Sequence, residues 1–208
     1  MNTMFMSDTY GHHEAVLLPR GDMIIHAGDL TRNGTESEVR DFLQWFSHQN
    51  YKYRIFIAGM HDSLFEQEPG LARRLLPSNV IYLEESGVEV GGLKIWGSPF
   101  NTFNHGSAFS VSSSEEINGH WDKIPHDCDI VTSRTPAYGM LDEDESGEHI
   151  GSKDLLRRLV KVEPGYFVCG NVQGTHRHEY RYNINFINAS LLNQEHKIVY
   201  KPVFLRNP

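Results

Sequence analysis

Short apolar runs rich in Ile, Val, Phe and Tyr alternate along the chain with stretches of helical period, a pattern that predicts a layered α/β arrangement. The runs that read as strands are 3–6, "DMIIHAG" at 22–28, "YRIFIAG" at 53–59, "VIYL" at 80–83, "GVEVGGLKIWGS" at 87–98, "CDIVTS" at 128–133, "YFVCG" at 166–170, "INFINAS" at 184–190 and "KIVYKPVFL" at 197–205. Within 87–98 the alternation reverses about Gly91-Gly92, which predicts a tight hairpin.

Thr35-Glu36-Ser37-Glu38 forms a capping box, and behind it Val39, Phe42, Leu43 and Phe46 share one face, so 36–48 is an amphipathic helix. Ser152 caps a second helix over 153–162, with Leu155, Leu156, Leu159 and Val160 expected inward. Residues 69–76 and 114–122 are shorter candidates. The polar, Gly-containing stretches 99–113 and 135–151 predict loops, of a length that often lines a binding site.

Composition narrows the function classes. At 208 residues without a linker-like stretch, one domain over 1–208 is expected. A formal charge of -8 argues against nucleic acid or an acidic membrane surface as a partner, although a locally positive site for a small anion is compatible with it. No run approaches membrane-spanning length and the N-terminus lacks a basic segment followed by an apolar core, so a cytoplasmic protein is expected. Cys128 and Cys169 sit in or beside apolar strand-like runs, where buried free thiols are expected.

Most of the chemistry-bearing residues cluster at strand ends: "SDTYG" at 7–11, "HAGDLT" at 26–31, "AGMHDS" at 58–63, "TSRTPAYG" at 132–139 and "CGNVQG" at 169–174. Taken in this order, and with "GLKIWGSPF", "GMLDEDESGEHIG" and "FINASLLN", they resemble the calcineurin-like metallophosphoesterase superfamily, in its single-domain metallophosphoesterase-domain-containing branch. The resemblance runs from about residue 4 to 192. It implies a β-sandwich of two mixed sheets flanked by helices.

The family pattern is Asp-x-His, Gly-Asp, Gly-Asn-His-Asp/Glu, a strand-end His, and Gly-His-x-His. Such residues hold two divalent cations that clamp a phosphate and activate a bridging water. Carried over position by position, Asp8 matches the first aspartate, Asp29 the bridging aspartate, and His61 the phosphate-facing histidine, with Asp62 behind it. The other ligand positions differ. Tyr10 stands for a His, Met60 for an Asn, Arg134 for the strand-end His, and Asn171 and Gln173 for both histidines of the last motif.

A phenol and a thioether are poor ligands for these ions, and a guanidinium has no free lone pair. Arg134 would also place a positive charge where a cation belongs. At about 4 Å and an effective dielectric near 20, each pairing with a carboxylate is worth roughly 4 kcal/mol before desolvation. The sequence therefore predicts that Arg134 neutralises Asp8 and Asp29, that Tyr10 and Met60 fill the vacated cavity, and that no cofactor is held. His61 is then a vestige of the catalytic apparatus. A pocket lined by Asp8, Asp29, His61, Arg134, Asn171 and Gln173 is expected to take a phosphate or nucleotide, or the fold to serve a protein partner or self-assembly. The alternative is a phosphoesterase acting on phosphomonoesters, phosphodiesters or cyclic nucleotides with one or two divalent ions (Mn, Fe, Zn or Mg). His176 and His178 offer a second, exposed metal-binding possibility.

Overall fold

The computed structural model describes residues 1–102, 106–193 and 195–206. Phe103, in the loop expected over 99–113, lies outside the described residues.

Two sheets stack face to face. The first contains β1 (Asn2–Met6), β2 (Met23–Ala27), β3 (Tyr53–Ile57) and β4 (Ile81–Tyr82), all parallel, with the last strand, β11 (Val203–Arg206), antiparallel on β1. The second runs β5 (Ser86–Val90), β6 (Leu93–Ser98), β7 (Ile130–Ser133), β8 (Tyr166–Cys169), β10 (Ile184–Asn188) and β9 (Arg177–Arg181). Its centre is parallel and its two edges are antiparallel hairpins. This is the two-sheet, helix-flanked α/β sandwich that the sequence predicts.

Strand alternation builds three cores. Phe5, Ile25 and Ile55 of the first sheet meet Ile95, Ile130, Val168 and Ile187 of the second. Met4, Met6, Ile24 and Phe56 point the other way, onto α1 (Glu36–Ser47), α2 (Ser63–Gln67) and α3 (Pro69–Leu75). Val131, Phe167 and Phe186 likewise point outward onto α4 (Ser114–Trp121) and α5 (Lys153–Val162). Strands buried on both faces are near-continuous apolar runs, which is why they stand out in the sequence. Both expected caps are present: Thr35 and Glu38 satisfy each other's backbone donors, and Ser152 accepts from Leu155 N.

Several expectations change. The inward face of α5 is Leu155, Leu159 and Val162, whereas Val160 is 38% exposed, because Leu155, Leu159 and Val162 follow the helical period and Val160 does not. The strand expected over 197–205 is confined to Val203–Arg206. Pro202 lacks a ladder donor, and Val199 N and Tyr200 N turn back to Leu191 O. The strand β9 has no apolar signal because it is a largely exposed edge; it joins β10 through Tyr182-Asn183, whose φ values of 53° and 61° suit a hairpin turn. The half-buried Phe100 packs within its own neighbourhood, edge-on to Phe109 and stacked on His120 at 3.7 Å. Cys128 and Cys169 are free and buried. Among the described residues, no helix is long and apolar enough to cross a membrane.

Candidate functional site

The strands β1, β2, β7 and β8 all end at one place, where the carboxyl edges of the two sheets meet. Each is followed by a residue of the site: Asp8 after Ser7, Asp29 after Gly28, Arg134 after Ser133, and Asn171 after Gly170. Asp8, Asp29 and Asn171 turn sharply there, with φ of 59°, 55° and 75°. Left-handed backbone at three non-glycine strand ends is strain held by the surrounding hydrogen bonds. Gly170 permits the close approach. A Cβ at that position would lie 2.0 Å from Ser7 Oγ and 2.7 Å from both Arg134 Nη1 and an Asp8 carboxylate oxygen.

Arg134 is fully buried between the two aspartates, themselves fully buried. Its Nη2 donates to Asp29 Oδ2 and to Asn171 Oδ1 at 3.0 Å, and lies in an ion pair 2.8 Å from Asp8 Oδ1. Burial alone would weaken the charge on Arg134, but Asp29 and Asp8 more than reverse this and hold the guanidinium above its ordinary pKa. Two carboxylates around one guanidinium leave a formal charge of -1, which backbone donors help to disperse. Asn171 N donates to Asp8 at 3.1 Å and His61 N to Asp29 at 3.1 Å. Tyr10 donates its hydroxyl to Asp29 at 2.8 Å, and its pKa is raised by burial and by the Asp29 charge, so it stays a neutral donor.

Asp62 acts behind this network. Its carboxylate accepts from Gly59 N at 2.7 Å, Leu30 N at 3.2 Å, and both the amide and hydroxyl of Thr31, at 2.9 and 2.7 Å. Burial and the nearby Asp29 push its carboxyl up, and the donors on Thr31 and Leu30 pull it back. This pins the loops after β2 and β3 together and thereby presents His61 N to Asp29. The imidazole of His61 is exposed. Its Nδ1 is 3.0 Å from Arg32 O; a carbonyl only accepts, so Nδ1 carries the proton.

The structure therefore brings together Asp8, Tyr10, Asp29, Arg134, Asn171 and the backbone of His61. Met60 is half-buried, and its carbonyl accepts from Ala108 N, outside this network. Among the described residues, Gln173 makes no hydrogen bond to the network. His176 binds Ser190 O at 2.9 Å and stacks on Tyr200, and His178 bonds Asn185 at 2.9 Å, so their ring nitrogens are paired with groups other than the aspartates.

The expected ligand space is corrected in one respect. Asp8, Asp29 and Arg134 are fully buried and line no open cavity, because Tyr10 and His61 pack edge to face over them, ring centroids 4.8 Å apart. An open cavity beside them, about 280 Å³, is lined by Tyr10, His12, Arg32, His61, Leu192 and His196. Sequence reasoning missed Arg32 and His196. Arg32 directly follows the "HAGDLT" motif and was within reach; His196 enters from a distant loop with no local signal.

The donor set does not fit a dinuclear metal centre. The carboxylate oxygens that a cation would need are engaged by a guanidinium, a phenol and backbone amides. Among the described residues, no group of three His, Cys, Asp or Glu side chains is placed to hold a metal ion.

Comparison with known proteins agrees with this fold. A calcineurin-like phosphoesterase family model matches residues 1–179, and the chain belongs to that family. It is 29% identical to human metallophosphoesterase domain-containing protein 1, over 98% of this chain and 70% of the relative. It is 28% identical to the UPF0046 protein K07C11.7 of Caenorhabditis elegans, over 100% of this chain and 76% of the relative. Among solved structures, one crystal structure superposes with a TM-score of 0.70 at 14% identity, covering 93% of this chain and 91% of its own. GAP50, the anchor in the inner membrane complex of Plasmodium, gives 0.52 at 12% identity, covering 92% and 71%. At these identities the structural matches speak for the fold alone.

Proposed function

We propose that this chain is a pseudo-phosphoesterase: a metallophosphoesterase fold in which an Asp8–Arg134–Asp29 network stands in place of the dinuclear metal centre, and which acts by binding rather than by hydrolysis. The observation that carries this reading is the fully buried guanidinium of Arg134 held by both aspartates. A fixed internal cation pairs with both carboxylates and opposes an incoming one, and without a bound metal there is no activated water between Asp8 and Asp29.

The ligand class is a small phosphate or the phosphate end of a nucleotide, taken in the cavity above Tyr10. Arg32 makes no ion pair among the described residues, and with His12, His61 and His196 it gives that cavity a lining of donors suited to an anion. Tyr10 closes the floor, so Arg134 contributes field and not contact. The test is hydrolysis of a chromogenic phosphodiester with added Mn²⁺, on protein purified without a metal-affinity tag. The reading predicts no turnover above buffer. Turnover that disappears in Asp29→Asn overturns it.

A further inference from the structure

The strand β9 forms one edge of the six-stranded sheet, paired to β10 on its inner side, and among the described residues nothing pairs with its outer side. The register fixes which of its backbone groups face outward. Asn185 N donates to Gly165 O at 3.0 Å, on the β8 side, so Asn185 and Ile187 turn their amides toward β8 while Ile184, Phe186 and Asn188 bond β9. Those three lie opposite Arg181, Glu179 and Arg177, which leaves the N–H and C=O of His178 and Tyr180 pointing away from the sheet. Unpaired backbone groups along an edge are a template for one more strand.

Arg177, Glu179 and Arg181 stand on one face of this edge, His178 and Tyr180 on the other. Both arginines are exposed and make no ion pair among the described residues; the Arg181 guanidinium lies 5.1 Å from the Tyr182 ring. Glu179 is half-buried, in the wall of a small cavity of about 80 Å³ that Glu143 and His149 also line. Tyr180 and Tyr182 are 65% and 44% exposed. The edge thus presents unpaired cations and open aromatic rings in a chain of net charge -8.

We propose that β9 docks an extended acidic segment of a partner protein, which joins the sheet as an antiparallel strand. Its alternate residues exchange backbone hydrogen bonds with His178 and Tyr180. Carboxylates stand opposite Arg177 and Arg181, an uncharged polar residue opposite Glu179, and apolar side chains cover the Tyr180 ring. A second copy of β9 meets these requirements poorly. The register that overlaps both strands fully sets Arg177 of each copy opposite Arg181 of the other and Glu179 opposite Glu179, and like charges directly opposite are destabilising. A nucleic acid would use the arginines and rings but leave the outward backbone of His178 and Tyr180 unpaired. The surface is separate from the cavity at Tyr10 and His61 and does not depend on it.

The experiment measures, by fluorescence anisotropy on the full chain at fixed ionic strength, binding of a labelled, end-blocked Glu-Val-Thr-Val-Glu peptide. The proposal predicts saturable binding that weakens at least about tenfold when both glutamates are replaced by lysine, and again when the two valines are N-methylated, since those amides face the carbonyls of His178 and Tyr180. Arg177→Glu combined with Arg181→Glu, both at exposed positions, should weaken it by a similar factor. Absence of binding, equal binding of the lysine or N-methylated peptide, or an affinity unchanged in the double variant overturns the proposal. So does a labelled oligothymidylate that binds as tightly as the peptide, or a dimer in gel filtration that the double variant dissociates, which would assign the edge to nucleic acid or to a second copy.

Discussion

The Nη2 of Arg134 lies 2.8 Å from Oδ1 of Asp8, and the same nitrogen bonds Asp29, so one side chain from one sheet is shared between two carboxylates from the other. Breaking a buried pair from one side leaves an uncompensated charge, at a cost of about 3–5 kcal/mol. Arg134→Leu should therefore lower the unfolding free energy by that amount in urea denaturation. Arg134→Leu combined with Asp8→Asn and Asp29→Asn should recover most of it. Added Mn²⁺ should raise the melting temperature of Arg134→Leu more than that of the wild type, because only the variant leaves both carboxylates free to bind a cation.

Gly170→Ala tests how closely the two sheets approach at the network. The added methyl would meet Ser7 Oγ at 2.0 Å, and neither Ser7 nor Arg134 is free to move, since Ser7 Oγ donates to Ala27 O at 3.1 Å. Overpacking of this kind costs typically about 1–3 kcal/mol. The expected result is a loss toward the upper end of that range. A comparable Gly92→Ala in the β5–β6 turn meets nothing within 4 Å and should show only the strain of its positive φ.

What was legible in the sequence and what was not follows burial. Strands such as 22–28 and 53–59 are apolar on both faces and were read almost to the residue, whereas β9, with its exposed Arg177, His178 and Arg181, carries no hydrophobic signal at all. Asp8, Asp29 and Arg134 could be grouped because each follows an apolar run in a recognisable motif. The role of Tyr10 was only half visible: its size suggested filling, but its hydroxyl bond to Asp29 depends on a backbone turn at φ 44° that residue type does not announce. The burial of Arg134 beneath Tyr10 and His61 was hidden for the same reason, and that burial moves the ligand space outward to Arg32 and His196.

The histidine at 26 predicts a pH signature. Burial, and secondarily the neighbouring His13 charge, lowers its pKa from 6.5 to about 3. The unfolded chain takes up this proton near pH 6.5 and the folded chain only near 3, so the stability His26 contributes is present above 6.5 and is lost as pH falls toward 3. Asp62, raised from 3.8 to about 6, works in the opposite sense between those values, since its folded form holds a proton that the unfolded form has released. His13 and His176, whose pKa values burial also lowers, add to the loss on the His26 side, so in the wild type stability falls with falling pH over this interval. In His26→Gln, stability measured by urea denaturation should fall less steeply with falling pH, the two profiles diverging by roughly 1.4 kcal/mol per pH unit between about 4 and 6. Parallel pH profiles for the two proteins would contradict this assignment.

The central claim is that a buried guanidinium stands where the family places metal ions, and metal content tests it most directly. Untagged protein, expressed in medium supplemented with Mn, Fe and Zn and freed of loosely held ions by gel filtration, is quantified by elemental mass spectrometry. The account predicts far less than one equivalent of any divalent metal per chain, unchanged by Asp29→Asn. Two equivalents that vanish in Asp29→Asn would contradict it.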